Sequence, residues 1–109
     1  MTLDELYETM LGKASEIELT QPASAAIVVE ITGDDPRVWQ VDVVGTKLAV
    51  KEGQTEGQDP SLKIVTSGDV LLKVASNKMK PATAFFTGKI KVKGDMALLS
   101  HLKTLWPQT

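Results

Sequence analysis

Residues 26–44 read Ala26-Ile27-Val28-Val29-Glu30-Ile31-Thr32-Gly33-Asp34-Asp35-Pro36-Arg37-Val38-Trp39-Gln40-Val41-Asp42-Val43-Val44, and this stretch decides the architecture. Ile27, Val28, Val29 and Ile31 are β-branched residues suited to a pleated surface. Gly33-Asp34-Asp35-Pro36 ends that run with turn chemistry. From Arg37 the pattern alternates, placing Trp39, Val41 and Val43 on one face and Gln40 and Asp42 on the other. After Gly45, Leu48 and Val50 repeat the alternation. Connections this short leave no room for a parallel crossover of about a dozen residues, so the three strands are antiparallel neighbours and the sheet begins as a meander.

Upstream, Leu3, Leu6, Tyr7, Met10, Leu11, Ala14 and Ile17 recur at spacings of three and four, which predicts an amphipathic helix over residues 2–18. Thr2 and Glu5 have the spacing of a capping box, and mid-helix Gly12 costs about 1 kcal/mol relative to Ala. Downstream, the polar, Gly- and Gln-rich residues 52–60 form a mobile loop, and residues 62–65 resume strand character. Ser67-Gly68-Asp69 offers an N-cap and a carboxylate for a short helix whose apolar side is Val70, Leu71, Val74 and Ala75. Pro81 interrupts, and residues 82–86 form an apolar stretch without an assigned element. Lys89, Lys91 and Lys93 then alternate with Ile90 and Val92, a strand with one wet and one buried face. Gly94-Asp95 turns into a last helix striped by Leu98, Leu99, Leu102, Leu105 and Trp106, which Pro107 stops. The fold class is α+β.

The chain has 109 residues, which suits a single domain over 1–109 with one hydrophobic core. A hydrophobic fraction of 42% and a charged fraction of 24% are those of a globular protein and exclude disorder. With no cysteine, disulfides, thiolate nucleophiles and Cys-based metal sites are excluded together. The longest apolar run, residues 25–29, is far short of the roughly 20 residues that span a bilayer. No signal peptide or peroxisomal tripeptide is recognisable, so the expected location is the cytoplasm.

Net charge is −2, but it is unevenly spread. Asp4, Glu5, Glu8, Glu16 and Glu18 face only Lys13 at the start, whereas Lys73, Lys78, Lys80, Lys89, Lys91 and Lys93 follow one another with no acidic residue between them. A solvated face accounts for such a run; a sharper reading is contact with an anionic membrane through Lys78, Lys80, Lys89, Lys91 and Lys93. Nucleic acid is not an expected partner, because the whole chain is acidic and only Phe85 and Phe86 interleave aromatic rings with the lysines.

No catalytic constellation survives inspection. His101 follows Ser100, and adjacent helical residues point about 100° apart, too far for a nucleophile and its base. One histidine and no cysteine leave only carboxylates for a metal, without a calcium-loop spacing, and the glycines form neither a Walker nor a dinucleotide pattern. Asp34-Asp35 is an acidic pair, but before Pro36 it reads as a turn. The chain is therefore not expected to be an enzyme, and no cofactor is implied.

From Ser67 onward the chain reads Ser67-Gly68-Asp69-Val70-Leu71-Leu72-Lys73-Val74, then Pro81-Ala82-Thr83-Ala84-Phe85-Phe86-Thr87-Gly88-Lys89-Ile90-Lys91-Val92-Lys93-Gly94-Asp95, then Leu98-Leu99-Ser100-His101-Leu102. This resembles the sterol carrier protein type 2 (sterol-transfer) domain family, most specifically in the Ala84 to Asp95 run. Trp39-Gln40-Val41-Asp42 and Asp59-Pro60-Ser61-Leu62-Lys63-Ile64 look like further strands of that family. Asn77 stands where many relatives carry Gly, and Asn also tolerates the left-handed backbone of a helix C-cap. The resemblance implies a five-stranded, largely antiparallel sheet with helices on one face. Between them it implies a hydrophobic tunnel for fatty acids, acyl-CoAs, sterols or phospholipids, with no catalytic residues. Facing and this analogy nominate Met79, Phe85, Phe86, Met96, Leu99, Leu102, Leu105 and Trp106 as the tunnel lining, with Trp39 and Val41 from the sheet. Flexible Met10, Met79 and Met96 suit an adaptable wall. The last helix would act as a lid over an acyl chain. Rival readings are a module that receives a partner protein beside a lipid-metabolising enzyme, and a small enzyme using His101.

Overall fold

A computed structural model describes residues 2–103 and Leu105, with the side chains of Leu102 and Lys103 left out of the description. Helix α1 (Leu3–Glu16) leads into strands β1 (Ala23–Thr32), β2 (Arg37–Gly45) and β3 (Lys47–Glu52). Strand β4 (Leu62–Ser67), α2 (Gly68–Ala75), α3 (Pro81–Phe86) and β5 (Ile90–Gly94) follow, and a 3-10 turn (Met96–Leu98) passes into α4 (Leu99–Lys103). The capping box forms as expected, since Thr2 Oγ1 accepts from the Glu5 amide and Glu5 Oε1 accepts from the Thr2 amide. Two orphan amides at the start of α1 are thereby satisfied.

The five strands form one sheet in the order β3-β2-β1-β4-β5. The meander is antiparallel, with Val29 opposite Trp39 and Val41 opposite Val50. β5 is antiparallel to β4, while β4 lies parallel to β1 with Val29 opposite Ile64. That parallel pair requires a long crossover, and the β2–β3 hairpin with the following loop supplies it.

Alternation assigns the two faces. Ile27, Val29, Ile31, Trp39, Val41, Val43, Leu62 and Ile64 share one buried face and join Leu3, Leu6, Met10, Ala14, Leu71 and Leu105 in a continuous core. Arg37 ends the same face, where its guanidinium meets Asp4 of α1 at 2.5 Å and Asp35 of the β1–β2 turn at 2.7 Å. The hydrogen bond and charge of Arg37 hold the Asp4 carboxyl below its ordinary value. Asp35 thus serves the turn and an ion pair.

The opposite face is not bare. Ala26, Val28 and Gln40 are buried there. The loop after β3 folds back across it: the Thr55 amide donates to Gln40 Oε1 at 2.8 Å, and Gln40 Nε2 donates to Asp42 at 2.7 Å and to Thr55 Oγ1 at 3.3 Å. Lys51 Nζ also bonds Thr55 Oγ1. The loop expected to be mobile is tied to the sheet through Thr55.

Candidate functional site: an apolar cavity under the second and third helices

A single row of side chains runs across the sheet from Trp39 through Val29 and Ile64 to Val92, set by the pairings of β2, β1, β4 and β5. Where α1 lies over the sheet this row is filled, and the Tyr7 ring packs at a tilt of 41° against Trp39 with ring centroids 5.4 Å apart. Beyond Val29 the helices stand off. They leave a cavity of about 320 Å³ whose floor is Val29, Ile64, Thr66, Ile90 and Val92. Its roof is Leu71 and Val74 of α2 with Pro81, Ala82, Phe85 and Phe86 of α3, and Met96 and Leu99 complete the lining. The volume lies within the roughly 300–1,000 Å³ of small-molecule pockets.

Local sequence explains each wall. Ser67 caps α2 by accepting from the Val70 amide, which aims Leu71 and Val74 at the sheet. Asn77 takes a left-handed backbone, φ 62°, and ends that helix. Pro81 at the first turn then starts α3, an element the sequence reading left open. Its last turn passes into Gly88, φ 76°, and the Lys89 amide donates to the Ala84 carbonyl, returning the chain to the sheet as β5.

Twelve of the thirteen described lining residues are apolar, and the exception, Thr66, donates its hydroxyl to the Lys89 carbonyl at 3.2 Å. Among the described residues no charged side chain lines the cavity. An occupant therefore gains by burying hydrocarbon, at roughly 25 cal/mol per Å², and must leave any charged group at the mouth. The mouth lies at α3 and the 3-10 turn, where Phe86 is 84%, Met96 46% and Phe85 43% exposed.

Of the residues nominated from sequence, Phe85, Phe86, Met96 and Leu99 meet in this lining. Trp39 and Val41 do not line it: they lie on β2, one strand beyond, and are sealed in the core. Trp39 Nε1 is buried with no hydrogen-bond partner among the described residues. Burial and the neighbouring Glu52 push the Tyr7 hydroxyl above its ordinary range. Met79 is half-buried in the turn before α3 and outside the lining, because the chain reverses there. Leu105 is fully buried in the core rather than the cavity. The Leu102 side chain and Trp106 lie outside the described residues. Val29, Ile64, Leu71, Val74, Ile90 and Val92 were readable as buried positions, but their common cavity depends on the parallel β1–β4 pairing.

Ser100 Oγ donates to the Ala97 carbonyl at 3.0 Å. Among the described residues no group of three or more His, Asp or Glu side chains could hold a metal. No helix among them is long and apolar enough to cross a membrane.

A family model described as the SCP-2 sterol transfer family matches residues 3–106. The chain belongs to that family. Hydroxysteroid dehydrogenase-like protein 2 from Homo sapiens is 32% identical over 106 residues, covering 97% of this chain and 25% of that protein. The chain thus spans about a quarter of such relatives. The crystal structure of Sterol Carrier Protein 2 Like 2 from Aedes aegypti superposes with a TM-score of 0.74 at 18% identity, covering 92% of each chain. The solution structure of palmitated SCP2L2 from the same organism gives 0.73 at 20% identity, covering 95% of this chain and 92% of that one. In this SCP-2 family fold, the α+β architecture with a mostly antiparallel five-stranded sheet is shared with those neighbours.

Proposed function

We propose that the domain binds, and hands on, a lipid whose hydrocarbon chain occupies the cavity between β1, β4, β5 and the helices, and that it performs no covalent chemistry itself. The observation that carries this reading is the lining: twelve apolar residues and one internally satisfied hydroxyl. Such a wall favours hydrocarbon and offers no nucleophile, base or anion clamp. Membership of a family described by sterol transfer, and a palmitated neighbour of the same fold, support it. A fatty acid, acyl-CoA, sterol or phospholipid all present the required apolar body. A second reading, an accessory module beside a lipid-metabolising enzyme, draws on relatives about four times longer, named dehydrogenase-like. The two are compatible if the domain supplies an apolar substrate to a neighbour.

Ligand that binds only the folded state stabilises it by mass action, about 2.7 kcal/mol at 100 times Kd. For a domain of this size that raises Tm by about 10 °C. Delipidated protein should show this rise with excess palmitate in a thermal melt; superimposable curves with and without palmitate contradict the reading.

A further inference from the structure

We propose that the outer edge of β5 receives an extended acidic segment of a partner protein, which adds to the sheet as a further strand and sets alternate carboxylates against Lys91 and Lys93. β5 ends the order β3-β2-β1-β4-β5, and among the described residues no strand pairs with its outer side. Hydrogen bonding to β4 alone uses every second residue, so alternate backbone N–H and C=O groups along residues 90–94 point away from the sheet. The edge is also under-filled on its inner face. Ile90 and Val92 are only half-buried, whereas Thr66 and Ile64, opposite them on β4, are buried. β5 is the one described strand with no buried residue. The other edge is better covered: α1 packs against β3, and the Leu19 amide donates to the Thr46 carbonyl at the turn before it.

Charge selects the occupant. Ile90 and Val92 face the cavity, so Lys91 and Lys93 project from the opposite face of the sheet, both exposed, with Lys63 directly across from Lys93. Lys63 is matched by Glu30 at 3.4 Å, but neither Lys91 nor Lys93 forms an ion pair with a described residue. A strand laid beside β5 places its own side chains directly opposite these lysines, where unlike charges attract and like charges repel. Lysines on an edge thus discourage indiscriminate pairing while admitting an acidic strand. A second copy of the chain is a poor occupant for the same reason, because antiparallel β5–β5 pairing sets lysine against lysine. Between its carboxylates the segment needs apolar residues, which extend the inner face beside Ile90 and Val92. The inference stands on the edge and its charge, and holds whether or not the cavity takes a lipid.

A peptide of alternating valine and glutamate, titrated into the isotope-labelled chain, provides the test. Amide resonances of residues 90–94 should shift and exchange more slowly with solvent, while those of β3 stay unchanged. A valine–lysine peptide should not bind. Lys91→Glu with Lys93→Glu should weaken the valine–glutamate peptide about tenfold, as two cross-strand charge pairs turn repulsive, and should admit the valine–lysine peptide instead. Both positions are exposed, a thermal melt confirms folding, and the milder Lys91→Gln with Lys93→Gln should give an intermediate affinity. Methylating the peptide's backbone nitrogens removes its donors, keeps its charges and should abolish binding. Retained binding of the methylated peptide, shifts centred on β3, or equal affinity for the two peptides overturns the proposal. So does perturbation of residues 90–94 by phosphatidylserine vesicles but not by the peptide, or dimerisation through β5 in its absence.

Discussion

Val74→Phe should lower fatty-acid affinity about 100-fold while leaving the protein folded. Val74 is 5% exposed and projects from α2 into the cavity. The larger side chain brings four more carbons into space an acyl chain would use, displacing three to four methylenes at about 0.8 kcal/mol each. A loss of about 3 kcal/mol is about two orders of magnitude in Kd. Because the added ring fills a void instead of displacing packed atoms, the overpacking cost of about 1–3 kcal/mol seen in dense cores should largely be avoided. Val44→Phe, an equal enlargement at an exposed position, supplies the control. Fluorescent fatty-acid titration beside a thermal melt separates the outcomes. Undiminished affinity in folded Val74→Phe would place the ligand elsewhere.

Gly94→Ala should cost about 3–5 kcal/mol in urea unfolding, an effect of the size reserved for strain and buried clashes. Gly94 ends β5 with φ 119°, a region side chains rarely enter, and a Cβ there would lie 2.4 Å from the Ser61 carbonyl oxygen and 3.0 Å from Leu62 Cα. Leu62 is fully buried on β4, so that backbone cannot retreat. The same Ser61 carbonyl accepts from the Asp95 amide at 2.9 Å, and the Asp95 side chain caps the turn that carries Met96 to the cavity. Gly12→Ala is the internal contrast: it lies in α1 with nothing within 4 Å and should be stabilising by up to about 1 kcal/mol. Comparable stabilities for the two variants would show that the close approach at Gly94 carries no energetic weight.

What the chain discloses in one dimension follows the range of the forces involved. Period and capping are local, so α1 with its Thr2–Glu5 box, the β1–β3 meander and the Ser67 cap of α2 are all legible from residues a few positions apart. The left-handed Asn77 follows instead from the family resemblance, in which many relatives carry Gly at that position. Residues 81–86 resist reading because a six-residue helix spans fewer than two turns, too short for its apolar period to repeat, and its Pro is equally at home in a turn. Pairing of β4 with β1 is non-local. That pairing brings Val29, Ile64 and Val92 into one row and makes a shared cavity of positions that separately read only as buried. Trp39 misleads for a related reason: it shares the row, but Tyr7 of α1 covers it before the cavity begins. Gln40 reads as an outward residue of an alternating strand, and only the return of the loop at Thr55 explains its burial.

Hydrocarbon is expected to occupy the space floored by Val29, Ile64 and Val92. Paramagnetic broadening by a spin-labelled stearate, read on methyl resonances of the folded protein, tests it most directly. Strong broadening of Val29, Ile64, Leu71, Val74, Ile90 and Val92 is expected at stoichiometric ligand, with Val44 on the far hairpin broadened least. Broadening centred on Val28 or Val44, or none at the cavity methyls with ligand in excess, would contradict it.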